Sequence, residues 1–302
     1  MKRIALAWGI FFCLLPLAHS QTGGVTVELS LTQNQLLPDE KMHLKVSIQN
    51  QSGQNLKLGT ESDYINFTVL DEKQNPVPPL GTNQVYTDGE VTIPSGETAT
   101  REFNLTPAFD FRRPGHYSIK ASVHVPQWRR DIPSTSAATF TVAQGTPVAN
   151  MPNLQGGVPL LLGSSNALPE VRRYVLEKGD TGSGVSLYVR LLDESGHTVR
   201  LISTGPYFGY STPEARLDQN TVLHLLHQTA AKSFTYHAID ALGQILERQT
   251  YEYLDSRPVL QSDGIGGVKV AGGVRKLTDN DLPPNEKETA IPAATFPGAK
   301  RN

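Results

Sequence analysis

Met42-His43-Leu44-Lys45-Val46-Ser47-Ile48 alternates apolar with polar side chains, and Gln51-Ser52-Gly53 ends the run. Successive side chains on a strand point to opposite faces, so a period of two marks a strand with one buried face. Val25, Val27, Leu29 and Leu31 carry the same period just upstream. Downstream, 64–70, 99–105, 117–125 and 137–142 are further strand candidates. Turn signals separate them, at Pro38-Asp39, Asn75-Pro76, Pro94-Ser95-Gly96 and Arg113-Pro114-Gly115. Roughly seven short strands with this spacing predict an antiparallel β-sandwich over 24–143.

Two stretches add a resemblance. Asp110-Phe111-Arg112-Arg113-Pro114-Gly115-His116-Tyr117-Ser118-Ile119 resembles the E–F corner of immunoglobulin-like (Ig-like) domains. Pro38-Asp39-Glu40, leading into Met42–Ile48, resembles the strand-B region of bacterial Ig-like modules. The resemblance covers 24–143 and implies an Ig-like antiparallel β-sandwich. It also implies that Tyr117 bonds its hydroxyl back to nearby backbone. The antibody-type disulfide is absent, and no tryptophan lies in the strand-C candidate. The implied module is therefore a generic one.

Residues 144–166 are rich in Gly, Pro, Asn and Ser, and read as a linker. A second, smaller antiparallel β-domain with hairpin repeats is expected over 167–276. Val185, Leu187, Val189 and Leu191 alternate into Asp193-Glu194-Ser195-Gly196, and the chain returns through Val199 and Leu201. The form recurs about 47 residues later around Asp240-Ala241-Leu242-Gly243, a spacing similar to one blade of a β-propeller. Too few residues are available for a closed ring, so a small sheet or hairpin stack is expected. Ser262-Asp263-Gly264-Ile265-Gly266-Gly267 predicts a third hairpin turn. The stretch 171–176 is compatible with strand or helix. Residues 277–302 lack apolar periodicity and read as a disordered tail.

At the N-terminus, Lys2 and Arg3 precede an apolar stretch over 4–17 and then Ala18-His19-Ser20. This pattern predicts a secretory signal peptide over 1–20, cleaved before Gln21. The apolar stretch is shorter than a membrane span, and no later segment reaches spanning length, so no transmembrane span is expected in the mature chain. Phe12 before Cys13 does not suit lipidation. The chain's single cysteine, Cys13, would leave with the signal. One cysteine excludes an intrachain disulfide and a cysteine-based zinc site. A net charge of −2 supplies no footprint for nucleic acid. The expected location is periplasmic or extracellular, with an envelope protein or polysaccharide as partner.

No persuasive catalytic constellation emerges, and no metal or cofactor is expected. Asp180-Thr181-Gly182 matches the aspartic-protease triplet, but no second copy occurs, so it reads as a turn. His224 and His227 would fall on opposite faces of one strand, and His237 reads as a cross-strand partner. Asp279-Asn280-Asp281 is interrupted by Pro283-Pro284 as a calcium loop. Asn50, Asn66 and Asn104 begin glycosylation triplets that read as chance matches. Two loops carry the residue types enriched at binding surfaces: Trp128, Arg129 and Arg130 in the first, and Tyr207, Phe208 and Tyr210 in the second. The expected function is non-catalytic binding or an envelope structural role. The alternatives are a hydrolase or lyase whose site leaves no motif, and a protease-inhibitor-like module presenting residues 127–131.

Overall fold

The computed structural model describes residues 24–59, 64–81, 89–149, 151, 154–157 and 170–283. The predicted signal, the far end of the tail and much of the predicted linker lie outside these residues. The chain is nearly all β, built from several antiparallel sheets, and its one helical element among the described residues is the 3₁₀ turn Pro126–Trp128. No helix among them is long and apolar enough to cross a membrane.

The N-terminal half contains β1 (Val25–Leu31), β2 (Gln35–Leu36), β3 (His43–Asn50), β4 (Leu56–Leu58) and β5 (Ile65–Leu70). These are followed by β6 (Val91–Ile93), β7 (Thr98–Asn104), β8 (Gly115–Val125), β9 (Arg130–Pro133) and β10 (Ala138–Val142). One sheet runs β1-β3-β7, and a second runs β2-β10-β8-β5, with β9 also on β8. All these pairs are antiparallel except β2 with β10. The alternation in β3 has its expected result: Leu44, Val46 and Ile48 are buried with Val27, Phe103, Val69, Ile119, Val123 and Phe140 in one core between the sheets. Asn50 ends β3 fully buried, its amide nitrogen donating to the carbonyls of Gln54 (2.7 Å) and Ile93 (2.8 Å), so its glycosylation triplet is closed in the folded chain.

The second half opens with β11 (Thr146–Pro147) and β12 (Leu154–Gly157), both paired with β13 (Val171–Asp180). Part of the expected linker is therefore sheet edge. Backbone groups make those pairs, so a Pro- and Gly-rich composition does not prevent them at an edge. The ambiguous stretch 171–176 is strand, within β13. It pairs with β14 (Val185–Leu192), and that with β15 (Thr198–Pro206). A five-stranded sheet follows: β16 (Glu214–Leu217), β17 (Leu223–Gln228), β18 (Ser233–Ile239), β19 (Ile245–Glu252) and, at its far edge, β22 (Val274–Lys276). Between those last two in sequence, β20 (Val259–Ser262) and β21 (Val268–Ala271) form a hairpin.

These pieces stack in three layers. Leu176, Leu187, Val189, Leu191 and Ile202 meet Leu223, Leu225 and Ile239 in one core. On the other face of the same β17–β18 pair, Leu226, Phe234 and Tyr236 pack with Leu260. The middle sheet is thus covered on both sides, and all six residues of β17 are buried. The two Asp-x-x-Gly hairpins predicted from the repeat, β14–β15 and β18–β19, belong to different sheets that share a core.

The two halves are clamped. Leu37, beyond β2, is 2% exposed. A Cβ on Gly179 would lie 2.0 Å from its Cδ1, and one on Gly145 would lie 2.8 Å from its Cδ2. The side chain therefore fills a notch that only glycine leaves open. Beside it, Arg190 donates to Asp39 (2.9 Å), to the Pro38 carbonyl (3.1 Å) and to Glu177 (2.6 Å). Tyr188 adds its hydroxyl to Glu40 at 3.1 Å.

Candidate functional site

The first predicted loop is mostly structural. Trp128 is half-buried and packs on the N-terminal core. Gln127, with its amide turned to suit both groups, bonds the backbone N–H and carbonyl of Lys57 at 2.7 and 3.1 Å. Arg129 turns the chain at φ +48°, and Arg130 starts β9 opposite Val125. Both arginines are exposed. Residues 127–131 are thus a 3₁₀ turn running into a paired strand, not an extended loop.

The second loop divides. Tyr207 is half-buried against the second core, with Lys178 Nζ 5.9 Å from its ring centre. Phe208 and Tyr210 face solvent, Tyr210 at 82% exposure, and their rings lie 5.3 Å apart. Gln228, at the end of β17, secures this tip. Its carbonyl accepts from Phe208 N (3.0 Å), and its side-chain oxygen accepts from the Ser211 hydroxyl (3.0 Å).

Immediately beside that loop lies a polar cleft of about 510 Å³, between the end of β15 and the β18–β19 face. Its lining includes Pro206, Thr229, Ser233, Thr235, His237, Arg248 and Thr250. Sheet register explains the grouping. Thr235 stands opposite both His227 and Thr250, and His237 stands opposite Arg248. Residues two apart on a strand share a face. The sequence signal was present as alternate polar residues, Ser233, Thr235 and His237, although on sequence alone His237 reads only as a cross-strand partner. Arg248 had no signal of its own, because its place depends on a partner strand.

The tail expected to be disordered from 277 contributes too. Among its described residues, Thr278 and Asn280 line the cleft, and Leu282 bridges Arg248 through backbone hydrogen bonds. Asp281, 4% exposed, pairs with Arg275 at 2.7 Å. These are polar ties, so apolar periodicity could not have revealed them. Asp180-Thr181-Gly182 is a turn, Gly182 N donating to Asp180 Oδ1 at 2.8 Å.

Three histidines of the second half are buried at two separate places. On one face, His224 Nδ1 is 2.7 Å from the Tyr236 hydroxyl, and its Nε2 is 3.5 Å from Asp218. Burial raises the Tyr236 pKa. On the other face, His227 and His237 stack at 5.9 Å, with His227 Nε2 3.2 Å from the Thr204 carbonyl. That carbonyl can only accept, so Nε2 carries the proton and Nδ1 is a bare acceptor. The Nδ1 atoms of both rings are buried without a hydrogen-bond partner. Burial pushes the His227 pKa down to about 4 and His237 well below its ordinary value, so both are neutral. Among the described residues no group of three metal-ligating side chains forms.

No family model and no curated protein matches this chain. Among solved structures, it is similar to the sporulation control protein Spo0M from Bacillus subtilis, at 11% identity and a TM-score of 0.29, over 60% of this chain and 89% of that one. It is also similar to the E. coli chaperone DraB, at 13% identity and a TM-score of 0.23, over 59% of this chain and 98% of that one.

Proposed function

We propose that this chain is an exported, non-catalytic binding protein of the cell envelope or extracellular space, and that its partner is an envelope polysaccharide. The observation that carries the reading is the exposed Phe208–Tyr210 pair, held by Gln228 beside a hydroxyl-lined cleft. Flat aromatic rings lose little conformational entropy on binding and offer apolar faces to sugar rings. Two features support an Ig-like reading of the N-terminal sandwich. Strands β1-β3-β7 face β10-β8-β5, and the Tyr117 hydroxyl donates to the Arg113 carbonyl at 2.8 Å. Support for export comes from the Lys2-Arg3 start and the apolar stretch after it.

Co-sedimentation of the mature chain with insoluble cell-wall polysaccharide tests the function. Binding is expected, and Phe208→Ala with Tyr210→Ala should weaken it by about tenfold, the effect of removing interface anchors worth roughly 1.4 kcal/mol. Failure to sediment, with an envelope protein captured instead, would overturn the polysaccharide reading.

A further inference from the structure

We infer that the cleft between β15 and the β18–β19 face binds one carboxylated sugar unit, with Arg248 taking the carboxylate and the threonine row taking ring hydroxyls. The inference rests on the polysaccharide reading for the ligand's family and names the unit recognised. Three observations lead to it.

Arg248 is half-buried in the lining, and its Nε is engaged by the Asn280 carbonyl. No carboxylate pairs with it among the described residues. A guanidinium fixed at Nε still offers its terminal nitrogens as a fork, the geometry that matches a carboxylate. Next to it, Thr229, Ser233, Thr235 and Thr250 supply hydroxyls that donate and accept, as sugar recognition requires. Thr235 and Thr229 are already joined at 3.2 Å, which orients that row. Finally, the His237 ring lines the cleft, stacked on His227, and so reports on what occupies it. The volume lies in the ordinary range for small-molecule sites and accommodates a sugar ring.

Charge separates this ligand from a phosphate. The lining holds one guanidinium, and its histidine is neutral because burial and the nearby Arg248 both oppose a second positive charge. One cation against several hydroxyls suits a monoanion rich in hydroxyls.

The test is titration calorimetry of the mature chain with D-glucuronate, methyl glucoside, acetate and inorganic phosphate, together with NMR of the imidazole signals. Glucuronate is expected to bind about tenfold more tightly than each of the others and to shift the His237 signal. Arg248→Gln should abolish the preference for glucuronate over methyl glucoside. Thr235→Val, which keeps shape and strand preference, should weaken glucuronate binding. Should Arg248→Gln fail to fold, the Thr235→Val result and the His237 shift decide. Absence of glucuronate binding, equal or tighter phosphate binding, or binding unmoved by these variants would overturn the inference. The Phe208→Ala, Tyr210→Ala double variant separates the two readings. Glucuronate binding without polysaccharide binding removes only the polysaccharide reading, and the converse removes only this one.

Discussion

His227 and His237 stack between two sheets with an interplanar angle of 14°. Their acid response follows from their burial. The folded pKa of His227 is depressed to about 4, whereas an unfolded chain protonates it near the ordinary value of about 6.5. Stability from the neutral ring is therefore fully present above about pH 6.5 and lost as pH falls toward 4. The carboxylates act in a lower window. Arg112, hydrogen-bonded to Asp110, holds that carboxyl at about 2, so its contribution disappears only in stronger acid. Urea midpoints are expected to drop between pH 7.5 and 4.5 by the equivalent of about 2.5 kcal/mol from His227 alone. His227→Gln keeps a donor for the Thr204 carbonyl and should flatten that slope. An unchanged slope in the variant would assign the acid loss elsewhere.

At the scale of elements, one turn recurs five times among the described residues. Asp71, Asp193, Asp218, Asp240 and Asp263 each accept, through Oδ1, the backbone N–H four residues on, at 2.7–2.8 Å. The residue before that N–H has positive φ in every copy: Gln74, Gly196, Thr221, Gly243 and Gly266. This is a three-residue hairpin loop closed by a left-handed residue, with aspartate as the cap. Glycine takes that conformation without a Cβ penalty, so Gln74→Gly is expected to raise stability by about 0.5–1 kcal/mol. Gly243→Ala should lower it by about 1–2 kcal/mol, because φ is +75° and a Cβ would lie 2.8 Å from Arg200 Cδ. Paired chemical denaturation of these variants checks both signs. The Asp-x-x-Gly copies were legible because glycine marks the left-handed position. At Asn75-Pro76 the sequence marked a turn but not its left-handed residue, and the copy ending in Thr221 had no signal, since neither Gln74 nor Thr221 marks positive φ.

For the whole molecule, the decisive contact is the clamp between the halves. Arg190 reaches two carboxylates and a carbonyl in a site where its side chain is 11% exposed and that of Glu177 is 6% exposed. Removing one partner of a buried ion pair leaves the others desolvated without a counter-charge, a loss of about 3–5 kcal/mol. Calorimetry of the parent chain is expected to show one unfolding transition, and Arg190→Met should split it in two. Two resolved transitions in the parent would show that the clamp does not couple the halves.

Strand identity and most turns were written locally. Alternation in Met42–Ile48 or Val185–Leu191, together with turn chemistry at each end, acts within a few residues of the chain and needs no partner. Tertiary structure alone decided which rows of side chains meet. It buried β17 on both faces, because the β20–β21 hairpin covers the side that a two-layer sandwich would leave wet. It set Arg248 opposite His237 by strand register, and it drove Leu37 into the glycine notch of the second half. These contacts join residues far apart in sequence, and their strength comes from burial and pairing that exist only once the sheets have assembled. The single cysteine and the positive N-terminal start remain properties of the sequence, whereas the cleft belongs to the assembled sheets.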